Sequence, residues 1–380
     1  MGDTVVLAPK FLDELNMLSE SRLSSSAALV DNVIGKYNGI DLISQVHLTN
    51  DICRGPFTRN LAVFLPRIAG ELRTAMTEQL SQSTSTDAVE ICITACDLLF
   101  SFIHRISSLV FVGKEHCHNP IWTDAVTNLP VDVEITKFIL LPFPYYLRRF
   151  IAPLVPQRNR IMRQRAAVRD LLFSASKELA AKEGTQCDEA ASESGRDADA
   201  HRIATRLLLL TAAALHTSSM AITHAIFDLC TRPEYMKPFR AEAQAALAQG
   251  NGEWKLSTLK RLHRLDNFLK ESQRVNQSAF LGFDRKVMSP ISLSDNKTVL
   301  PPGATISIPG GPMARDPTFY NDPYRFDPLR FYRRSGKEGD DTTTTTTDSS
   351  PPPPPSQQDY TGIERGNLSW GSGRFTCPGR

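Results

Sequence analysis

A helical pattern over residues 201–230 constrains the fold more than any other feature of this 380-residue chain. Thirty helical residues would span roughly 45 Å at 1.5 Å per residue, enough to cross a whole domain. Thr231-Arg232-Pro233 closes the segment, and its centre is apolar on nearly every face. Such a face pattern predicts burial. The segment therefore predicts a large helical body with this helix inside it.

In the rest of the chain, the residue pattern changes once, from helical to β-like, near Phe280. Residues 1–230 read mainly as helix, with apolar residues at three-to-four spacing over 9–18 and 61–80. Residues 256–275 predict one or two further helices. After Phe280 come short β-like runs (286–288, 299–300 and 305–308), separated by proline and glycine turns. The predicted fold class is mostly α with a small β region.

Composition excludes several classes of protein. The net charge is +2, so no strong basic field indicates nucleic acid as a partner. The seven cysteines are odd in number and irregularly spaced, which argues against a disulfide framework and favours a reducing compartment. No apolar run reaches about 18 residues, and no signal peptide follows Met1. We therefore expect no membrane-spanning helix in this sequence.

Two polar segments are predicted to lie outside the core. Residues 182–200 are small and polar, and we expect a surface loop there. Residues 339–356 read GDDTTTTTTDSSPPPPPS, a low-complexity composition that buries nothing and predicts disorder. Because related motifs lie on both sides of it, we interpret this segment as an insertion within one domain spanning 1–380.

Residues 136–156 allow two interpretations. The run Phe138 to Tyr146 is apolar and aromatic, contains two prolines and is followed by Arg148-Arg149. The prolines should break a helix. The segment is either a corner of the core or a surface that enters a membrane interface.

The sequence WGSGRFTCPGR, residues 370–380, carries the most specific chemistry. Glycines let a loop approach a flat ligand closely. Arg374 can pair with an anionic group, and Cys377 followed by Pro378 suggests a thiol at a helix start, where the thiolate is favoured. These features describe a thiolate beneath a carboxylate-bearing macrocycle. The alternative is a glycine-rich turn with an inert cysteine.

This segment resembles the haem-binding loop of cytochromes P450, aromatic-Gly-x-Gly-x-Arg-x-x-Cys-x-Gly. The resemblance implies that Cys377 is the proximal ligand of the iron of haem b and that Arg374 pairs with a haem propionate. Trp370 stands where the family usually has Phe. The glycines that complete the motif are Gly371, Gly373 and Gly379.

A second motif agrees with the resemblance. Glu271 and Arg274 share one face of a predicted helix at i, i+3. A surface ion pair is the ordinary explanation of such a pair. In the family a third partner comes from Phe-x-Pro-x-Arg-Phe, and residues 326–331 supply it with Arg330. Buried Glu and Arg side chains need such pairing. We expect a structural role for all three.

The third motif lies in the long helix. Ala213-Ala214-Leu215-His216-Thr217-Ser218 resembles the family's oxygen-activation segment. By resemblance, Ala213 and Ala214 leave room for dioxygen, and Thr217 helps to deliver protons. His216 replaces the usual Asp or Glu and either relays protons or is a satisfied core histidine. The variant resembles a fungal subgroup of secondary, including terpenoid, metabolism.

The resemblance implies a monooxygenase that inserts one oxygen atom of O2 into a small apolar substrate, such as a terpenoid. Electrons would come from NADPH through cytochrome P450 reductase. The substrate pocket should be bordered by Ser278, Ala279, Phe280 and Leu281, although Gln277 departs from the family's Pro. One alternative is a peroxide-using or isomerising haem-thiolate enzyme, and another is a remnant without stable haem.

Relative to family members, the sequence lacks a membrane anchor, the first strands and the helix that follows the cysteine loop. We therefore expect a cytochrome P450 fold that is incomplete at both termini and binds haem poorly as written. The family implies the surface of the endoplasmic reticulum membrane, with peripheral membrane contact. Without an anchor the chain could be cytoplasmic.

Overall fold

Helices form most of the domain. The structure is a computed structural model that describes residues 4–38, 40, 53–82, 94–182, 193–334 and 359–379. The helices are α1 (Leu12–Asn16), α2 (Ser25–Asn32), α3 (Gly35–Asn38), α4 (Leu61–Gln82), α5 (Ala95–His116), α6 (Pro120–Leu140), α7 (Tyr145–Ile151), α8 (Pro156–Lys182), α9 (Glu193–Cys230), α10 (Met236–Gln249), α11 (Leu256–Leu259), α12 (His263–Val275), α13 (Gly310–Met313) and α14 (Arg330–Arg334).

The long helix α9 is longer than the sequence predicts. It begins at Glu193 rather than at residue 201, so the predicted surface loop is wrong for residues 193–200. This stretch is polar, but its Glu, Arg and Ala residues all favour helix, and low hydrophobicity does not prevent a helix. The rest of that loop, residues 183–192, lies outside the described residues, as does the predicted insertion at 339–356.

The β region is a four-stranded sheet and a separate hairpin. The sheet order is β1–β6–β3–β2, with β1 (Thr4–Val6), β2 (Leu23–Ser24), β3 (Gly282–Val287) and β6 (Thr305–Ile308). β1 pairs with β6 in parallel and the other pairs are antiparallel. The hairpin joins β4 (Ile291–Ser292) to β5 (Val299–Leu300). The helical interpretation of residues 1–230 missed β1 and β2.

Two apolar cores position the site. One lies between the sheet and α1 and includes Leu15, Val287 and Ile306. The other joins α6, α8 and α9 through Trp122, Ile161, Leu208 and other residues. The indole nitrogen of the fully buried Trp122 donates a hydrogen bond of 2.9 Å to Ser108 Oγ. The centre of α9 is therefore buried, as its face pattern predicts.

The segment 136–156 is largely a surface. α6 ends at Leu140, and α7 begins after the two prolines, as predicted. Leu140 is buried, but Phe138, Tyr145 and Phe150 are 67%, 75% and 61% exposed. The core-corner interpretation holds for only part of this segment.

Among the residues that the structure describes, two helices are long and apolar enough to cross a membrane, Ala95–His116 and Ala200–Cys230. This criterion concerns length and composition alone, so the expectation that neither segment spans a membrane stays a prediction. The two helices pack against each other, and the Phe100 ring lies 5.3 Å from the His216 ring. Core helices of a domain meet the same criterion.

Candidate functional site

The backbone conformation of the cysteine loop, residues 370–379, depends on two glycines. Gly371 and Gly373 have φ angles of 76° and 64°, in the left-handed region that favours glycine. A Cβ atom on Gly373 would also lie 2.9 Å from Cγ of Asn16. The loop therefore packs directly against the end of α1, where Asn16 donates a 2.8 Å hydrogen bond to Ser372 Oγ.

The Cys377 side chain is exposed, and its backbone is fixed. Its N–H donates a 2.7 Å hydrogen bond to the carbonyl of Trp370, which closes the loop. The Trp370 indole in turn donates to the Tyr360 carbonyl at 2.7 Å. Pro378 and Gly379 form a turn after the cysteine. The loop thus presents a thiol at its surface from a fixed backbone.

Residues 53 and 54 lie against the same loop. The Arg54 side chain donates to the carbonyls of Thr376 and Arg374 at 2.8 and 3.1 Å. Burial, followed by the charge of the nearby Cys377, raises the pKa of the Cys53 thiol. Arg374 itself is exposed and donates to the Leu18 carbonyl. No motif or spacing in the sequence predicts that residues 53 and 54 contact this loop.

Arg285 on β3 is a second cation beside the loop, and sequence reasoning missed it. It is only 6% exposed, and its guanidinium lies 4.8 Å from the centre of the Phe375 ring. Burial and, to a smaller extent, Arg374 lower its pKa to about 10, although Glu20 and Asp284 oppose the shift. In the described part of the chain, no carboxylate lies within ion-pair distance of this guanidinium. The sequence signal that could have identified Arg285 is its alternation with Phe283 and Val287 along β3, because this spacing places all three side chains on the apolar face of the strand.

These donors fit a haem. A buried cation without a carboxylate is costly, and an anionic ligand would relieve that cost. The guanidinium carbons of Arg285 and Arg374 lie 4.8 and 5.3 Å from the centre of the Phe375 ring, where they could receive carboxylates. The sulfur of Cys377 is the soft ligand type that haem-thiolate iron takes.

The predicted three-residue ion-pair cluster is present. Glu271 accepts two hydrogen bonds of 2.8 Å from Arg274 and two of 3.1 and 3.2 Å from Arg330. All three side chains are buried. The Asp327 N–H donates a further bond of 2.9 Å to Glu271. The cluster ties α12 to the start of α14, the pairing that the motif predicts.

The oxygen-activation motif divides between two faces of α9. Ala213, Thr217 and Met220 share an exposed face, and Thr217 Oγ1 donates to the Ala213 carbonyl at 2.7 Å. Ala214 is half-buried. His216 packs against Phe100, and its Nε2 is buried without a hydrogen-bond partner in the described residues. Burial lowers the pKa of His216, which keeps the imidazole neutral at pH 7.

One of the four predicted pocket residues lines a cavity in the described part of the chain. Ser278, Ala279, Phe280 and Leu281 are all exposed. Leu281 lines this cavity, which has a volume of about 410 Å³, and the other three are not among its lining residues. Its other walls come from α2, α3, the sheet and the exposed 136–156 segment; they include Ile34, Tyr37, Leu141, Arg148 and Lys286. The cavity thus joins the sheet to the exposed aromatic segment.

Comparison with known proteins gives consistent matches. The family model for cytochrome P450 matches residues 64–379. The chain is 32% identical to the cytochrome P450 monooxygenase olcJ of Penicillium canescens and 32% identical to an ent-kaurene oxidase of Gibberella intermedia. Each alignment covers 100% of this chain, and 70% and 69% of those proteins.

A solved structure shares the fold. The retinoic-acid-bound cyanobacterial CYP120A1 aligns with a TM-score of 0.57 and 20% identity, over 87% of this chain and 66% of that chain. The chain therefore spans about two thirds of the length of these proteins. Together with the cysteine loop and the Glu271 cluster, these matches show that the chain belongs to the cytochrome P450 family of oxidoreductases.

Proposed function

We propose that this chain is the catalytic part of a haem-thiolate monooxygenase that inserts one oxygen atom of O2 into a small apolar substrate, of the terpenoid class. The observation that carries the proposal is the exposed Cys377 thiol in a loop whose Phe375 ring lies 4.8 Å from the buried cation of Arg285, which has no carboxylate within ion-pair distance among the described residues. The terpenoid class is inferred from the similarity to ent-kaurene oxidases. Electrons are proposed to come from NADPH through cytochrome P450 reductase.

Each residue then has a definite task. The Cys377 thiolate binds the iron, and Arg374 and Arg285 bind the carboxylates of the haem. When bound, the haem supplies the chemistry that activates dioxygen. The small Ala213 side chain leaves space beside the exposed face of α9. The Thr217 hydroxyl holds a proton at Oγ1 next to that space. His216 is neutral at pH 7 and could relay a proton through its Nε2, which has no hydrogen-bond partner among the described residues.

The ligand assignment is tested with two cysteine variants. The chain is produced with a haem precursor, reduced and exposed to carbon monoxide. Wild-type protein and the Cys230→Ser variant, which loses an exposed cysteine on α9, should give the spectrum of a thiolate-ligated haem. Cys377→Ser should lose that spectrum. An unchanged spectrum in Cys377→Ser would refute the assignment. The same preparation measures how much haem the chain binds.

The source of electrons separates the proposal from the peroxide-using alternative. Turnover of an apolar terpene should require NADPH, the reductase and O2 together. Turnover with hydrogen peroxide alone, at the same rate, would favour the alternative. Neither activity in a haem-loaded protein would favour a non-catalytic remnant.

We also propose that the segment 136–156 touches the endoplasmic reticulum membrane. Its support is the exposed aromatic face of Phe138, Tyr145 and Phe150, with the Arg149 guanidinium 4.5 Å from the Phe150 ring. Aromatic and basic side chains together suit a lipid headgroup region. The variant Phe150→Ser should weaken co-sedimentation with phosphatidylserine-containing vesicles, whereas Tyr324→Ser, at an exposed tyrosine elsewhere, should not. Equal binding by both variants would contradict the assignment.

A further inference from the structure

A buried carboxylate lies behind the cysteine loop, outside the residues that the proposed chemistry uses. Asp266 is in the first turn of α12, and its Oδ2 accepts a 2.8 Å hydrogen bond from the backbone N–H of Tyr360. Tyr360 and Asp266 are 94 positions apart in sequence. This bond therefore anchors the segment that enters the cysteine loop to the helix that carries Glu271.

Two more hydrogen bonds continue from Tyr360 to Cys377. The Tyr360 carbonyl accepts the Trp370 indole N–H at 2.7 Å, and the Trp370 carbonyl accepts the Cys377 N–H at 2.7 Å. The Tyr360 and Trp370 rings also meet edge to face, with their centres 5.4 Å apart. The connection from Asp266 to Cys377 is thus a series of three short bonds through two residues.

We propose that Asp266 is a positioning residue for Cys377, because its carboxylate fixes Tyr360, which fixes Trp370, which in turn fixes the backbone of the cysteine. The meaning of this role for catalysis rests on the proposed function, since it assumes that Cys377 binds the iron. The hydrogen-bond series itself does not depend on that assumption.

The charge of Asp266 can change near physiological pH. Burial, the largest cause, and the carboxylates of Asp359 and Glu242 together raise its pKa to about 6, against the opposing effects of the Tyr360 N–H and Lys270. Glu242 lies on α10 and binds the N–H groups of residues 264 and 265. Lys270 lies on α12, 3.8 Å from Glu364. Asp266 therefore faces charges from its own helix, from α10 and from the segment before the loop.

The direction of the pH effect follows from linkage. Because the Tyr360 N–H lowers the pKa of Asp266, it binds the ionised carboxylate more tightly than the neutral acid. Ionisation must then tighten the same hydrogen bond. The link to Trp370 and Cys377 should strengthen as pH rises through about 6 and weaken below it.

The test uses the haem-loaded protein in its reduced carbon monoxide complex, labelled with ¹⁵N at tryptophan. The chain has three tryptophans, and Trp370→Phe identifies the indole resonance of Trp370. In wild type this resonance should shift with a midpoint near pH 6. Over the same range, the ratio of thiolate-ligated to other carbon monoxide complexes should fall roughly threefold on acidification, as expected for weakening one charge-assisted hydrogen bond.

Asp266→Asn keeps an acceptor but has no titrating charge. It should remove both pH steps and behave at every pH like acidified wild type. Asp316→Asn, at a half-buried aspartate whose side chain binds only Thr318 among the described residues, should leave both steps unchanged. In a Trp370→Phe background, Asp266→Asn should add no further change in the spectral ratio, because the series is already interrupted.

Three results separate the possible failures. Retention of the pH step in Asp266→Asn would overturn the positioning role, as would fully additive effects of Asp266→Asn and Trp370→Phe. Absence of any thiolate spectrum in wild type would instead overturn the proposed function. In that case the Trp370 indole titration, repeated on the haem-free chain, still decides whether Asp266 controls the loop.

Discussion

Replacing Glu271 by Gln would test the energetic weight of the buried ion-pair cluster. Gln preserves the size of the side chain but removes the charge and turns an amide NH2 toward guanidinium donors. Two buried cations, Arg274 and Arg330, would lose the carboxylate that accepts four hydrogen bonds from them. Breaking a buried ion pair from one side costs about 3–5 kcal/mol. That is a large part of the roughly 5–15 kcal/mol that stabilises a typical domain.

Urea unfolding, followed by circular dichroism, measures this loss. Glu234→Gln is a suitable control, because Glu234 is exposed and its replacement should change the unfolding free energy by less than about 0.5 kcal/mol. Glu271→Gln should unfold at a clearly lower urea concentration, or not accumulate as folded protein. If both variants unfold at the same urea concentration as wild type, the cluster does not stabilise the fold in the way argued above.

Three further perturbations address the loop, the acid behaviour and the helical core. Gly373→Ala should destabilise the loop by at least about 1 kcal/mol, since the left-handed backbone disfavours a Cβ. In thermal unfolding, the double variant with Asn16→Ala should recover the part of this loss that comes from the collision of the new Cβ with Asn16. The free energy of unfolding should fall by up to about 3 kcal/mol as pH rises from 4 to 6, because the pKa of Asp266 in the folded protein, about 6, exceeds the ordinary 3.8. Asp266→Asn should reduce this pH dependence, as measured by urea unfolding at several pH values. Trp122→Phe should cost about 1–3 kcal/mol by leaving a cavity and losing the bond to Ser108, and an unchanged melting temperature would contradict that.

Local chemistry explains which parts could be predicted from sequence. The apolar face pattern predicted the burial of α9, and the resemblance to the family's Glu-x-x-Arg and Phe-x-Pro-x-Arg-Phe motifs predicted the contact of Glu271 with Arg274 and Arg330. The glycines predicted an unusual backbone path in the loop at Cys377, and two of them have positive φ. Each of these inferences depends on residues within one short segment or on a motif with defined spacing.

The missed features depend on the approach of distant segments. β1 is three residues long and pairs with residues 305–307, so nothing in its own sequence distinguishes it from an extended loop. Arg285 lies in the polar sequence Asp284-Arg285-Lys286, and its burial follows only from the packing of β3 in the folded domain. The contact of Asp266 with Tyr360 spans a low-complexity segment that carries no pairing signal.

The parallel pairing of Thr4–Val6 with residues 305–307 has a consequence for synthesis on the ribosome. The edge strand is made first, but its partner emerges about 300 residues later. At roughly 5–20 residues per second, the strand would wait about 15–60 s for that partner. During this interval the intervening helices can already assemble, so the sheet should close last, and chaperones would have time to hold the early segment.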